Sequence, residues 1–392
     1  MKKSIGILAL TAMFTLTGIL PFASIQSLFA ALVETPPTVT HIASAPINTN
    51  KAVVKNVGPT EVSSSTIIDP TSDAYWIKYE LLATVNVKEF AQKAIAEGKK
   101  VYFYGKQTPS QPELFKSLGL TPDIRWESGN PENFTNTIIG VQAFDYKNNK
   151  FYIDELSQNN PDDNNEILDS LVRMSKKTLD SEGVPAHLKA KNHTVVEAAG
   201  ESSSWSTKTT YTKSWSHATY GRIDRTEQVV VDTGESDSTK DYFALHHWVE
   251  HSSGDYLWNN GWEAGRIYFR EDPNEGNGTT FLTYSPTAST GNPTSVSLGI
   301  APALNWTFDG NAYDIEIIEG STGLGYIRWM LDEVWYAFWL PEHLVFQPGS
   351  KHYTPQGGYF NIRSSSSAYY TTNGSTLYGP ENYGYIDVYV KK

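Results

Sequence analysis

The sequence predicts an α+β chain of two domains, a small three-layer α/β domain followed by an aromatic-rich antiparallel β-sandwich. Three observations predict it. Strand-like and helix-like runs alternate between residues 64 and 183. From Trp205 onward, alternating apolar and polar runs recur between turn clusters, with no convincing helix among them. Aromatic residues make up 13% of the 392 residues, including 23 Tyr and 11 Trp, and such side chains favour strands.

The elements follow in chain order. Residues 1–30 open with Lys2 and Lys3, continue as an apolar run from Ile5 to about Leu20, and end in small residues near Ala30. That is the layout of a secretory signal peptide. A secreted chain of this size without a single cysteine fits a Gram-positive style extracellular protein better than a disulfide-stapled one. Residues 31–63 are a Pro/Thr/Ser-rich spacer, either a pro-segment or a stretch that adds to a sheet edge.

The α/β domain is expected over 64–183. STIID and AYWIKYELL read as its first strand region, and NVKEFAQKAIAEG as a helix. Asn86 and Glu89 give that helix an N-x-x-E start related to the capping box, and Phe90, Ala91, Ala94 and Ile95 fall on one face. VYFYG is a buried strand. SQPELFKSLGL is a short helix with Ser110 and Glu113 as a capping box and Gly119 as its stop. Two strands follow around Lys147-Asn148-Asn149-Lys150. A longer helix, NNEILDSLVRMSKKTLDSEG, turns Ile167, Leu168, Leu171, Val172 and Leu179 inward. Residues 184–203 read as a linker, and 204–392 as the β-sandwich, with runs such as TYTKSWSHATY, EQVVVDT, DYFALHHWVEH and YIDVYV.

Composition narrows the function. The formal charge of −12 repels phosphate backbones, so nucleic acid is not an expected partner. No run beyond the N-terminus is long and apolar enough to predict a stable membrane span. No nucleotide fingerprint such as G-x-G-x-x-G occurs, and no cofactor is expected. Neither is a catalytic residue: there is no G-x-S-x-G elbow, thiol catalysis lacks a thiol, and serine runs such as Ser364–Ser367 read as turns or strand exteriors.

The sharpest chemical motif is His247-Trp248-Val249-Glu250-His251, an H-x-x-E-H pattern. On a helix the two histidines stand about 6 Å apart and could share a zinc ion. On a strand the same step is about 13 Å, too long for joint ligation. The β-rich flanks favour the strand, with Phe243, Leu245, His247, Val249 and His251 on one face. His247, Glu250 and His251 therefore remain only weak metal candidates. Asp332 and Glu333, set among aromatics, are the most suggestive acidic pair.

Aromatic side chains in turns suggest carbohydrate recognition, because flat rings stack on sugars. Tyr256, Trp258 and Trp262, around the Asn259-Asn260-Gly261 turn, are the candidate ligand-binding residues. The expected role is a non-catalytic extracellular or cell-surface interaction, with carbohydrate as the ligand that the exposed aromatics suggest. The alternative is a β-barrel pore-forming, toxin-like protein. Two Ser/Thr-rich stretches support it: Ser202–Gly221, with Trp205, Thr207, Thr209, Tyr211, Lys213, Trp215 and His217 on one face, and GTTFLTYSPTASTGNPTSVSLGIAP. A secreted hydrolase is a second alternative.

Overall fold

A computed structural model describes residues 35–188 and 205–392, apart from 64, 122, 123, 182, 235, 236, 274–277, 286–294, 299–303, 308–313, 322–325, 333–339, 341, 374 and 375. The signal peptide, most of the linker and Glu333 lie outside the described residues.

The chain is mainly β with a few helices. It forms a large mixed sheet of 12 strands with a parallel part, and a separate antiparallel sheet of six. The parallel part runs β2 (Val53–Val57), β1 (Thr38–Ile42), β3 (Ala74–Lys78), β4 (Lys100–Tyr104). Its first two strands come from the spacer, which adds to the sheet edge. STIID, read as a strand, forms none; Asp69 instead caps a local turn through Thr71.

Helix α1 (Val85–Ala96) crosses between β3 and β4 and buries Phe90, Ala91, Ala94 and Ile95, as the spacing predicts. Its N-cap is Thr84, so Asn86 already lies inside the first turn and the expected box with Glu89 does not form. Helix α2 (Gln111–Leu118) does carry the Ser110–Glu113 capping box, and Gly119 ends it at φ 66. Strand β5 (Ile124–Gly129) precedes the antiparallel pair β6 (Thr135–Asp145) and β7 (Lys150–Gln158), which turns through Asn149 at φ 54. Helix α3 (Asn164–Lys176) starts from Asp163, whose carboxylate accepts from the amides of Asn165 and Glu166. Its Ile167, Leu171 and Met174 pack with Trp76, Tyr102 and Leu156 on one face of the large sheet.

The strands do not separate as an α/β domain followed by a sandwich closed on itself. β7 pairs in parallel with β8 (Trp205–His217), carrying the same sheet into the C-terminal half. β5 pairs with β20 (Tyr378–Val390) of the other sheet. The physical reason is that an open edge such as that of β7 exposes unpaired amides and carbonyls, which the next strand satisfies. Alternation within a segment carries no information about which strand covers its edge.

β9 (Gly221–Asp232), β10 (Lys240–Ser253), β18 (Gly349–Pro355) and β12 (Thr280–Ser285) complete the large sheet in that order, with β17 (His343–Phe346) also on β10. The second sheet runs β15 (Asp314–Ser321), β16 (Tyr326–Asp332), β11 (Glu263–Pro273), β19 (Phe360–Thr371), β20, β5. β13 (Ser295–Leu298) and β14 (Leu304–Thr307) form a two-stranded sheet of their own. Helix α4 (Gly254–Trp258) follows β10.

The two large sheets face each other across an aromatic interior. Trp126 of β5 stacks on Tyr211 of β8 at 4.9 Å, and Phe243 of β10 stacks on Phe360 of β19 at 4.7 Å. Burying such a side chain stabilises the fold by about 1.5–3 kcal/mol. The sandwich is therefore present, with one mixed and one antiparallel sheet.

Candidate functional site

β10 is a strand through the whole H-x-x-E-H stretch, and its alternation sends His247 and His251 into the sandwich interior. The two meet different partners. His247 Nε2 donates to Glu271 of β11, while His251 lies 3.5 Å from the Tyr370 hydroxyl of β19. Glu250, on the opposite face, pairs with His187 at 3.4 Å and lies 3.9 Å from His343. The third member of the motif thus stands apart from the two histidines.

His247 belongs to a wider cluster between the sheets. Its Nδ1 is 3.7 Å from Glu227 of β9, and Glu227 accepts the Ser364 hydroxyl of β19. Glu271 lies 3.7 Å from His352 of β18, which hydrogen-bonds Ser350 at 2.7 Å. Arg225 stacks on Trp215 at 4.7 Å and donates to the Ser364 carbonyl at 3.2 Å. All of these groups are buried. The expected exterior placement of the Ser364–Ser367 run therefore fails for Ser364 and Ser366, which β19 turns inward.

Burial alone disfavours every charge here, and the partners decide which charges survive. Burial lowers His247, but Glu271 above all, then Glu227, outweighs it and holds the imidazole above its ordinary value. Burial raises Glu271, but His247 overrides it and keeps the carboxyl well below the carboxylate range. For His352, burial wins over Glu271 and lowers it. Among the described residues His251 has no carboxylate in contact, and burial pushes it down to about 3. The result is an acid–base pair closed to solvent, which fixes charge and strand register but offers a substrate no approach.

Glu227 and Glu271 were not among the residues singled out from the sequence, although a signal existed. Glu271 shares its strand phase with Ile267 and Phe269, and Glu227 with Val229 and Val231. A carboxylate on an apolar phase is costly to bury unless paired.

The exposed aromatic candidates sit at one end of the sandwich. Tyr256 and Trp258 lie on α4 and are 53% and 39% exposed. Trp262 is half-buried, edge-on to Tyr220 at 4.9 Å and to Tyr378 at 5.4 Å. Nearby, one carboxylate oxygen each of Asp255, Glu263 and Glu342 falls within 4.8 Å of the others. Asp332 closes β16 opposite Arg266 and Asp314.

A groove of about 470 Å³ opens on the outer face of the six-stranded sheet. Its register sets Arg270 directly opposite Arg328, a like-charge pairing that costs a sheet about 0.2–1 kcal/mol. Rings relieve it: Arg270 lies over Tyr326 at 4.1 Å and Arg328 over Tyr268 at 5.4 Å. Arg363 beside them forks onto Asp387 at 2.7 and 2.8 Å and lies over Tyr385 at 3.9 Å.

The Ser/Thr-rich stretches part company. β8, from Ser202–Gly221, is paired on both sides, in the middle of the large sheet, and its Lys213 is buried against Glu155 at 2.7 Å. A strand locked in this way is not a free amphipathic hairpin. The second stretch runs from the edge strand β12 to the independent pair β13–β14.

No family model and no curated protein matches the sequence. Among solved structures the chain is similar to the NetB toxin of Clostridium perfringens in its membrane-inserted form, with a TM-score of 0.24 and 6% identity over 46% of this chain and 95% of that one. It is also similar to Clostridium perfringens delta-toxin, with a TM-score of 0.27 and 8% identity over 51% of this chain and 93% of that one. Superpositions this loose carry no inference.

Proposed function

We propose that the chain is an extracellular, toxin-like β protein that acts on membranes by delivering the paired strands β13 (Ser295–Leu298) and β14 (Leu304–Thr307) to the bilayer. The observation that carries this reading is where that segment is strung. β12 is the terminal strand of the large sheet and β15 the terminal strand of the six-stranded sheet. Between them, among the described residues, β13 and β14 pair only with each other. Among the described residues β13 and β14 share no backbone ladder with either large sheet, so their departure breaks no strand pairing of those sheets.

Its chemistry suits a bilayer. The register sets Val296 opposite Trp306 and Leu298 opposite Leu304, while Ser295 faces Thr307 and Ser297 faces Asn305. Apolar positions thus share one face of the ladder and polar positions the other. No Asp, Glu, Lys, Arg or His occurs from Gly276 to Phe308. Leu304 to Ala312 alternates over about the nine residues that a spanning strand requires. Among the described residues no helix is long and apolar enough to cross a membrane. Strands are then the spanning elements of this reading. A single hairpin would leave two unpaired edges in hydrocarbon, so several copies must close a barrel.

The absence of cysteine makes the test clean. Single cysteines at each position from 304 to 309 are labelled with an environment-sensitive dye, and liposomes loaded with a second fluorophore are added. Expected are release of the contents and a blue shift at 304, 306 and 308 but not at 305, 307 and 309. Intact liposomes with uniform emission would sink the reading.

A second reading, surface or glycan binding without insertion, is favoured by the exposed Tyr256 and Trp258 and by the arginine–tyrosine groove. Glycan-array binding in the absence of any liposome release would select it.

A further inference from the structure

The large sheet carries a second buried charge cluster, separate from the histidines, where β6, β7 and β8 run side by side. Lys213 of β8 and Glu155 of β7 are opposite each other in register and fully buried. Lys213 Nζ donates to Glu155 Oε1 at 2.7 Å and to Asn136 Oδ1 of β6 at 2.8 Å. A bulge in β6 makes the second contact possible, because bulges re-aim side chains. Asn136 is set opposite Ser157 while Ile138 is set opposite Leu156, so Thr137 is the extra residue. Without it Asn136 would share the face of Ile138 instead of the face of Glu155.

A buried ion pair accounts for Lys213 and Glu155 but not for the surroundings of the amide. Three donors converge on Asn136 Oδ1: Lys213 Nζ, Asn130 Nδ2 at 2.9 Å, and the Ser157 hydroxyl. Asn130 is itself held by the Trp215 indole at 3.0 Å. If Nζ adds to Cγ, the other two donors remain to stabilise the oxyanion that forms. With a C=O bond of about 1.2 Å, Nζ already stands within about 4 Å of Cγ. That is close to the reacting distance of about 3–3.5 Å in a near-attack geometry. Burial lowers the Lys213 pKa against the pull of Glu155, which favours the neutral, nucleophilic amine.

We infer that Lys213 and Asn136 join in an intramolecular isopeptide bond, with Glu155 as the proton carrier. Glu155 takes one proton from the Lys213 ammonium, and the freed lone pair forms the Nζ–Cγ bond. Glu155 then gives that proton to Nδ2 as the Cγ–Nδ2 bond breaks, and takes a second proton from Nζ. The departing nitrogen leaves as ammonia, one N–H stays on the new amide, and one proton stays on Glu155. The two opposite charges are thereby cancelled, and no oxidant or co-reactant is needed. The bond joins residues 77 positions apart and ties β6 to β8 across β7, in a chain that has no cysteine for a disulfide. It is independent of the hairpin segment.

Intact-mass spectrometry of the denatured full chain tests this, followed by tryptic peptide mapping. Expected is a mass one ammonia below that of the sequence counted from the observed N-terminus. A branched peptide should join the segments that bear Asn136 and Lys213, with no cleavage after Lys213, and its fragmentation should place the bond at those two residues. Asn136→Ala, Lys213→Met and Glu155→Gln should each restore the full mass and the separate peptides. The full sequence mass in the native protein overturns the proposal, whether or not any variant folds. So does loss of ammonia without a branched peptide, which would locate the loss in a cyclised asparagine. A branched peptide that persists in Asn136→Ala would assign the bond to another amide and overturn it as well.

Discussion

His247 has a carboxylate on either side, Glu227 at 3.7 Å and Glu271 in hydrogen-bond contact, all three between two sheets. Removing one member of such a buried pair leaves its partner's charge uncompensated, which costs about 3–5 kcal/mol. His247→Leu and Glu271→Leu should each lose about that much in urea unfolding. The double variant should recover most of the loss, because apolar side chains of similar volume often replace a buried pair at little cost. Simple addition of the two losses would show that the pair is not energetically coupled. At this scale half of the cluster was legible. Strand alternation places His247 and His251 on the apolar phase with Phe243, Leu245 and Val249. What they meet comes from β9, β11, β18 and β19, and no spacing in the sequence brings those strands together.

Elements were read best where their signals are local. The Ser110–Glu113 box closes on backbone amides within one turn, and the structure forms it. The same pattern at Asn86 and Glu89 misleads, because the helix begins two residues earlier than the box requires. Ser110→Ala should therefore cost about 1 kcal/mol, and Asn86→Ala much less, measured by the same urea series. Equal losses would return the N-cap of α1 to Asn86. Strand phase was legible for β10 and strand environment was not for β8. Ser202–Gly221 and the stretch after Gly278 share a Ser/Thr-rich texture, yet one lies in mid-sheet and the other begins at an edge. Period two reports which side chains share a face. It is silent on how many neighbours the backbone has.

For the whole molecule, the buried histidines set the pH response. Burial lowers His251 to about 3 and His217 to about 4, against an ordinary 6.5, and lowers His352 as well. The unfolded chain binds these protons first, so stability should fall as pH drops below about 6.5. Glu271, held low by His247, adds to the acid loss below its ordinary 4.5. His247 has the opposite sign. Its contribution is complete below 6.5 and disappears as pH rises through its raised value. Thermal scans from pH 4 to 10 should show a maximum near neutrality with losses on both sides. A Tm that stays flat between pH 6.5 and 4.5 would mean that the histidines are not buried neutral in solution.

The sequence by itself determined a mainly β, cysteine-free chain with a few helices, the faces of most strands, the caps of α2, and an inward pair of histidines on β10. These follow from short-range rules: side-chain alternation, cap chemistry and turn residues act within a few positions. The tertiary structure alone decided that β7 continues into β8, that β5 crosses to the second sheet, and that two glutamates meet His247. It also decided that one Ser/Thr-rich stretch is locked in mid-sheet while the other leads from an edge into an isolated hairpin. Strand pairing satisfies backbone amides and carbonyls that are the same in every residue, so the choice of partner depends on how the whole chain packs.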